Sequence, residues 1–370
     1  MSARDTAPDP RDIGGPRQPL MRVSKLKKHF PLKRSKLGFG ARSAVRAVDG
    51  VSFEIGKGET LGVVGESGCG KSTTARLLMQ LTLQDSGELV FDGLTVGSRA
   101  LPLRDFRRQT QMVFQDCYSS LNPRMTIEDS VAFGPTVHGV SARDALNRAH
   151  DLLARVGLEP ARFAGRYPHE LSGGQRQRVN IARALALEPR LFILDEAVSA
   201  LDKSVEAQVL NLLEDLKRDF GLTYLFISHD LHVVRYMSDR VLVMYLGQVV
   251  EIGTAAQVFD APRHPYTRAL LRSMPSGDPM QRTTQAPLAG DPPNPIDPPS
   301  GCRFHTRCAF AQDVCSQQMP AFVKTTSGHG VACLRWQAGS GYVATPEFAD
   351  LQEDTLMALT AFTKAATTHV

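Results

Sequence analysis

Apolar runs of strand length alternate with apolar residues at helical spacing along the middle of the chain, from Met21 to about Gln257. Three of these runs, Thr60–Val64, Leu191–Leu194 and Thr223–Ile227, are mostly apolar, which is typical of buried strands. Between them lie stretches with helical periodicity. The alternation predicts an α/β fold for this region.

Helical periodicity is clearest in two places. Residues from about 116 to 180 are mostly helical in pattern, which predicts a helical subdomain inserted in or appended to the α/β domain. A further helix is predicted to present one apolar face, formed by Val205, Val209, Leu212, Leu213 and Leu216.

The composition changes at both ends of the chain. Residues 1–19 are polar and rich in proline, which predicts a disordered segment. Residues 276–300 are again rich in proline, which predicts an extended connector that cannot be helical. The tail from Pro346 to Val370 returns to a helical pattern.

Length and composition exclude several classes of protein. A chain of 370 residues with 42% hydrophobic and 22% charged residues is ordinary globular material, long enough for about two domains. The net charge of +5 is spread along the chain, so no nucleic-acid partner is predicted. No apolar run approaches the roughly 20 residues of a membrane-spanning helix, and the N-terminus lacks the apolar core of a signal peptide. We therefore expect a cytosolic protein whose membrane role, if any, comes through partners.

A glycine-rich stretch, Gly65-Glu-Ser-Gly-Cys-Gly-Lys-Ser72, fits the phosphate-loop pattern between a predicted strand and a predicted helix. Glycines let several backbone N–H groups point at one phosphate cluster, and the helix N-terminus adds partial positive charge. Lys71 is predicted to neutralise the β- and γ-phosphates of ATP, and Ser72 to ligate Mg²⁺. The candidate nucleotide-binding residues here are Gly65, Ser67, Gly68, Gly70, Lys71, Ser72 and Thr73.

Two adjacent carboxylates, Asp195 and Glu196, follow the apolar run Leu191–Leu194. Adjacent residues of a strand point to opposite faces, so the two are predicted to have different roles. Asp195 is expected to hold Mg²⁺ through water, and Glu196 to act as the general base on the attacking water.

The stretch Leu171-Ser-Gly-Gly-Gln-Arg-Gln-Arg178 resembles the signature motif of ABC ATPases. It is predicted to be a second anion site, because small residues open a helix whose N-terminus can face a phosphate. In that family the signature of one subunit contacts the nucleotide of the other, so the resemblance implies a dimer. The residues concerned are Ser172, Gly173, Gly174 and Gln175. A simple capped helix start is the alternative.

Other positions resemble further motifs of the family. Gln115 resembles the Q-loop glutamine that contacts Mg²⁺ and water, Asp202 lies in a stretch similar to the D-loop, and His229 resembles the switch histidine that senses the γ-phosphate. For the aromatic residue that stacks on adenine the candidate is Phe30, with His29 second. The alternative for Phe30 is a core residue of the antiparallel subdomain.

Four stretches resemble one particular subgroup of the family, the ATPases of dipeptide, oligopeptide and nickel importers. They are Gly58–Thr73, Tyr118–Arg124, Arg263–Thr267 and Cys302–Cys308. This resemblance implies an α/β ABC-type P-loop ATPase with an antiparallel β subdomain, a helical subdomain and a small Cys-rich C-terminal extension. The implied boundaries are 1–19 for the disordered segment, 20–260 for the ATPase domain, 261–340 for the extension and 341–370 for a helical tail. Two departures from the family pattern, Ala197 and Lys203, remove no reacting group.

Four cysteines, Cys302, Cys308, Cys315 and Cys333, cluster after the proline-rich connector. Four thiolates suit tetrahedral Zn²⁺ or an iron–sulfur cluster, although the spacings are wider than in most zinc sites. The family resemblance favours a 4Fe–4S cluster. Zinc and four unligated cysteines are the alternatives.

The sequence thus predicts the ATP-hydrolysing subunit of an importer, with ATP, Mg²⁺ and a 4Fe–4S cluster as its ligands. The resemblance implies a second ABC ATPase subunit (a homologue, giving a heterodimer), two transmembrane permeases, a solute-binding protein and a peripheral position on the cytoplasmic face of the membrane. Di- or oligopeptides are the favoured solutes, and nickel, glutathione and other peptide-like solutes are the alternatives. A soluble ABC ATPase of DNA repair or translation is disfavoured, because no long coiled coil or second cassette is present. A redox module centred on the cysteines is a further alternative.

Overall fold

The computed structural model describes residues 11–15, 17–32, 43–274 and 290–343. The chain divides into two compact units: residues 1–28, 50–62 and 71–238 form the first, and residues 29–49, 63–70 and 239–370 form the second. The helical tail predicted over 341–370 lies outside the described residues from residue 344 onward, as do residues 275–289 of the connector region and residues 1–10 of the segment predicted to be disordered.

The first unit alternates strands and helices, as the apolar pattern predicts. Its strands are β1 (Met21–Pro31), β2 (Ala44–Ile55), β3 (Thr60–Val64), β4 (Ser86–Phe91), β5 (Leu94–Thr95), β6 (Thr110–Val113), β7 (Leu191–Asp195) and β8 (Thr223–Ile227), the first three being shared with the second unit along the chain. Its helices are α1 (Lys71–Leu78), α2 (Leu103–Gln109), α3 (Ile127–Val137), α4 (Ala142–Arg155), α5 (Pro160–Phe163), α6 (Gly173–Leu185), α7 (Lys203–Phe220) and α8 (Leu231–Met237).

Two sheets organise this unit. One has the strand order β3-β8-β7-β6, with β6, β7 and β8 mutually parallel. Every residue of β7 and β8 is buried, as expected for parallel strands covered on both faces. The other sheet has the order β2-β1-β4-β5, in which β4 pairs antiparallel with β1 and with β5. The α/β fold, the three apolar strands and the antiparallel subdomain predicted from the sequence are confirmed.

Helices α3 to α6 fall within or next to the region predicted to be helical. Three of them begin at a side-chain cap: Thr126, Ser141 and Ser172 each accept a hydrogen bond from a backbone N–H in the first turn. The predicted apolar face of α7 is confirmed in part: Val209, Leu213 and Leu216 are buried, whereas Val205 and Leu212 are half-buried.

A buried charge cluster joins distant parts of the first unit. Asp92, 2% exposed, pairs with Lys57 at 2.8 Å and with Arg190 at 2.8 Å. Burial alone would raise the pKa of Asp92, but the hydrogen bonds from Lys57 and the Ile13 N–H, and the ion pair with Arg190, lower that pKa to about 2. Asp12, inside the segment predicted to be disordered, also contacts Lys57.

The second unit contains an antiparallel sheet in the order β11-β12-β10-β9. Its elements are β9 (Arg240–Tyr245), β10 (Gln248–Thr254), α9 (Ala255–Asp260), α10 (Pro265–Arg272), α11 (Asp313–Gln317), β11 (Val323–Lys324) and β12 (Gly330–Val331). Glu251 of β10 is fully buried and accepts hydrogen bonds from the backbone N–H of Arg263 and His264 and from His329. This carboxylate fixes the start of α10 and the approach to β12.

Candidate active site

Three neighbouring parallel strands end at one edge of the sheet in the first unit. Gln115 follows β6 by two residues, Glu196 follows β7 directly, and His229 follows β8 by two residues. Asp195 is opposite Ile227 in the register of β7 and β8, and Val113 is opposite Leu194 in that of β6 and β7, so the three strand ends lie within one residue of each other. The carboxyl ends of parallel strands are the usual place for ligands in α/β sheets.

The side chains that follow these strands converge on one carboxylate. Gln115 Nε2 donates a 2.9 Å hydrogen bond to Glu196 Oε2, and His229 Nδ1 lies 3.4 Å from the same oxygen. The Glu196 side chain is 19% exposed, so water reaches it. The three predicted catalytic residues, Glu196, His229 and Gln115, therefore lie together.

Glu196 adopts a left-handed backbone conformation, with φ of 50°. Such a φ is uncommon for a residue other than glycine, and it is held by the Glu196 N–H, which donates to the carbonyl of Ile227, and by Ser199, which donates to the carbonyl of Glu196. Because β7 ends at Asp195, a turn separates the two carboxylates. The expectation that both side chains leave opposite faces of one strand is therefore wrong, because Glu196 lies outside β7, although the two carboxylates do have different partners.

Asp195 faces the start of α1. Ser72 Oγ donates a 2.9 Å hydrogen bond to Asp195 Oδ1, which brings two of the three predicted Mg²⁺ ligands together. Asp195 is 6% exposed, and burial raises the pKa of its carboxyl, with the neighbouring Glu196 acting in the same direction and Ser72 and Lys71 opposing them. A hydroxyl beside a buried carboxylate is a donor set that suits Mg²⁺, with Gln115 as the third predicted ligand.

The phosphate loop needs its glycines for two physical reasons. Gly65 and Gly70 have φ of 150° and 107°, which favour glycine. In addition, a Cβ at Gly65 would collide with the carbonyl oxygen of Met244, and one at Gly70 with that of Ala47. Lys71, 6% exposed, follows as the first residue of α1. Of the other predicted residues, Ser67, Gly68, Ser72 and Thr73 complete the loop and the first turn of this helix.

The predicted signature segment forms the start of α6. Ser172 and Gln175 make a reciprocal capping box: Ser172 Oγ accepts from the Gln175 N–H, and Gln175 Oε1 accepts from the Ser172 N–H. The capped helix start considered as an alternative is therefore present. Ser172 and Gly173 are nonetheless exposed, and Gly174 is half-buried, so this helix start is accessible to a partner.

The predicted D-loop precedes α7. Asp202 is exposed, and Lys203 directly after it pairs with Glu206 at 3.1 Å and with Asp230 at 2.8 Å. Asp230 follows His229 and caps α8. Lys203, one of the two departures from the family pattern, therefore forms an ion pair with Asp230, the residue after His229.

Phe30, the candidate for stacking on adenine, lies near the end of β1 and is 40% exposed. Exposure of this size disfavours the alternative of a core phenylalanine. The second candidate, His29, pairs with Asp49 at 3.1 Å.

All four clustered cysteines, Cys302, Cys308, Cys315 and Cys333, line one cavity in the second unit with a volume of about 20 Å³. Burial raises the pKa of the Cys308 and Cys333 thiols to about 12. Within the described ranges, no group of three or more His, Cys, Asp or Glu side chains is arranged to hold a single metal ion. In a 4Fe–4S cluster each thiolate binds a different iron, so its thiols stand further apart than around one ion. Four thiols that line one cavity are a donor set that suits either an iron–sulfur cluster or Zn²⁺.

Sequence reasoning missed the contacts of Glu66 in the phosphate loop. Arg307 makes two hydrogen bonds to its carboxylate, and Tyr266 accepts one from its N–H. Both partners lie in stretches that carried the family resemblance, Arg263–Thr267 and Cys302–Cys308. The sequence therefore singled out these stretches, but it gave no sign that they contact Glu66.

Two family models and several known proteins match this chain. The family model "ABC transporter" matches residues 48–199, and the model "Oligopeptide/dipeptide transporter, C-terminal region" matches residues 250–315. The oligopeptide transport ATP-binding protein AppF of Bacillus subtilis is 49% identical over 85% of this chain and 96% of its own length. OppF of Salmonella typhimurium, also an oligopeptide transport ATP-binding protein, is 48% identical over 86% and 97%.

Solved structures show the same fold. CbiO1 of Clostridium perfringens, part of an ABC transporter complex, has a TM-score of 0.56 and 28% identity over 66% of this chain and 91% of its own. The ATP-binding cassette MJ0796, in a dimeric post-hydrolysis state with ADP and Pi, has a TM-score of 0.54 and 28% identity over 64% and 98%.

The family match and the shared fold define an ABC ATPase. Within that class, the chain belongs to the family of ATP-binding proteins that includes the oligopeptide transport subunits AppF and OppF. Across the described ranges, no helix has the length and apolar character needed to cross a membrane.

Proposed function

We propose that this chain is the motor subunit of an importer for di- or oligopeptides, and that it hydrolyses ATP at the site around Glu196. The observation that carries the ATPase chemistry is the convergence of Gln115 and His229 on Glu196, beside the Ser72–Asp195 pair. The peptide assignment rests on relatives that are named for oligopeptide transport and matched over nearly their whole length.

In the proposed reaction Glu196 accepts a proton from water as that water attacks the γ-phosphate, and the bond between the γ-phosphorus and the bridging oxygen of ADP breaks. Gln115 orients the carboxylate and the water, and His229 contacts the γ-phosphate. Ser72 and Asp195 would hold Mg²⁺, which when bound would offset the charge of the β- and γ-phosphates. Phe30 stacks on adenine, for which its 40% exposure leaves room.

The proposed active form is a dimer of two ATPase subunits. The exposed start of α6, with Ser172, Gly173, Gly174 and Gln175, faces the nucleotide held by the other subunit, and Asp202 lies at the shared interface. The second subunit is proposed to be a homologue of this chain. Both subunits dock on two transmembrane permeases at the cytoplasmic face of the membrane, and a solute-binding protein delivers the peptide.

The cavity lined by the four cysteines is proposed to hold a 4Fe–4S cluster, with Cys302, Cys308, Cys315 and Cys333 as ligands. The proposal is supported by the four thiols that line this one cavity, since each of them would bind one of the four irons. Such a cluster would supply a redox-active or purely structural centre to the Cys-rich C-terminal extension, residues 261–340.

Purification of the tagged chain from detergent-solubilised membranes tests the assignment to import. We expect two polytopic permeases and a second ATPase in the complex, identified by mass spectrometry, and ATP-dependent uptake of labelled peptide by the complex in proteoliposomes. Competition with Ni²⁺ and with glutathione separates the alternative solutes. A chain recovered only with ribosomes or nucleic acid would leave the ATPase chemistry intact and contradict the transport role.

A further inference from the structure

The phosphate loop carries a carboxylate of its own, Glu66, between Gly65 and Ser67. A negative charge in a loop that binds a polyphosphate opposes binding, because like charges at short range repel. The loop therefore works best if this charge is offset and the side chain is held in one direction.

Arg307 both offsets the charge of Glu66 and fixes the direction of its side chain. Its Nη1 donates to Glu66 Oε2 at 2.8 Å and its Nη2 donates to Glu66 Oε1 at 3.0 Å, which is the paired geometry that guanidinium and carboxylate favour. The Arg307 side chain is 5% exposed and that of Glu66 is 20% exposed. A pair this well shielded from water is screened little by salt, and it fixes direction as well as charge.

Tyr266 holds the backbone of the same residue. The Glu66 N–H donates a 2.8 Å hydrogen bond to the hydroxyl of Tyr266, which is fully buried. The Tyr266 ring packs against Tyr245 at 4.6 Å and Phe304 at 5.4 Å between centroids, so the hydroxyl has little freedom. The loop enters its turn with its second residue fixed by a rigid acceptor.

Both partners lie beyond residue 260, the predicted end of the ATPase domain, and all these residues belong to the second unit. We infer that the chain beyond residue 260 sets the charge and conformation of the phosphate loop, with Arg307 and Tyr266 as positioning residues for MgATP binding. The inference concerns ATP binding at the loop and is independent of the transported solute and of any metal bound by the cysteines.

The test measures the MgATP dissociation constant of the full chain, together with its thermal midpoint without nucleotide. Arg307→Ala removes the guanidinium that pairs with Glu66, and we expect binding to weaken by about tenfold. Arg307→Lys should fall between this variant and the wild type, since lysine keeps the charge but not the paired geometry. The double variant Glu66→Gln with Arg307→Gln should bind MgATP within about twofold of the wild type, because both charges of the pair are removed together.

Two further variants separate positioning from general stability. Tyr266→Phe removes only the hydroxyl, and we expect it to raise KM for MgATP several-fold with kcat nearly unchanged. Arg263→Ala is the matched control: this arginine packs over Trp336 at 4.8 Å in the same part of the chain, and its loss should leave MgATP binding unchanged.

Wild-type MgATP affinity in Arg307→Ala would overturn the inference. So would a double variant that binds as weakly as Arg307→Ala at an unchanged thermal midpoint, because charge compensation would then not be the cause. If Arg307→Ala does not fold, the double variant and Tyr266→Phe decide the question: wild-type KM in Tyr266→Phe, or weak binding by a folded double variant, counts against it.

Discussion

Gln115 and Glu196 are 81 residues apart in the chain, and the side-chain amide of the first donates a 2.9 Å hydrogen bond to the carboxylate of the second. The amide approaches the same oxygen that lies 3.4 Å from His229. A carboxylate held from two sides is preorganised to accept a proton from a water molecule placed next to it. This relationship gives the most direct prediction.

Replacing Glu196 by Gln keeps the shape of the side chain and its contacts but removes its basicity. We expect ATP hydrolysis to fall by about 10²- to 10⁴-fold, because that is the usual contribution of a general base. MgATP binding should be retained. Phosphate release and equilibrium nucleotide binding measure the two effects.

Glu88→Gln is the control for this substitution, since Glu88 is an exposed residue of β4. It should hydrolyse ATP at the wild-type rate. Hydrolysis reduced by less than tenfold in Glu196→Gln would assign the base to another group.

Asp195→Asn should stabilise the nucleotide-free protein while abolishing hydrolysis. Burial raises the pKa of Asp195, so the folded state disfavours its charged form. The stability contributed by this group is greatest below 3.8, its ordinary pKa, and falls as pH rises through the raised value. Asparagine removes the charge at neutral pH, and we expect Tm without Mg²⁺ and ATP to rise by about 1–3 °C. Differential scanning calorimetry at pH 7 measures the shift, and a lower Tm would contradict the assignment.

The same substitution at Asp92 should have the opposite sign. Asp92 is held between Lys57 and Arg190, and these contacts, against the effect of burial, lower its pKa to about 2. The Asp92 carboxylate contributes to stability above about pH 4, and this contribution is lost as pH falls from about 4 to about 2. Asp92→Asn should cost about 3 kcal/mol at pH 7, because the buried Arg190 and the half-buried Lys57 lose the carboxylate that they share. Guanidinium unfolding gives this value.

Asp215→Asn is the matched control for Asp92→Asn. Asp215 pairs with Arg218 on the surface of α7, where the side chains are 58% and 72% exposed. Loss of such a pair should change the free energy of unfolding by less than about 0.5 kcal/mol. Equal effects at positions 92 and 215 would show that the buried cluster contributes no more than a surface pair.

The cysteine-lined cavity predicts bound iron. The full chain purified without oxygen should contain about four iron and four acid-labile sulfide atoms, and should be coloured. The variants Cys308→Ser and Cys333→Ser should lose most of the iron and most of the acid-labile sulfide. Cys117→Ser, which changes a cysteine outside this cavity, should keep them. Colourless, iron-free protein with full ATPase activity would contradict the cluster, and zinc in its place would support the other metal.

Much of the site could be predicted from the sequence, because its residues follow strands that the apolar pattern identifies. Gln115, Glu196 and His229 stand within two residues of the ends of β6, β7 and β8, and parallel strands bring their carboxyl ends to one edge. The phosphate loop and the signature are likewise local patterns. Their function depends on backbone N–H groups and helix starts, which short stretches of chain determine by themselves.

Tertiary structure decided what depends on contacts between distant segments. The sequence pattern placed Asp195 and Glu196 on opposite faces of a strand, whereas the left-handed turn at Glu196 is held by Ile227 from β8. The pairing of Glu66 with Arg307 joins residues 241 apart, and no local periodicity encodes such a contact. The sequence alone thus determined the class of fold and the chemical groups of the site. Long-range packing alone determined their orientations, because side-chain direction depends on neighbours that the chain brings together only when it folds.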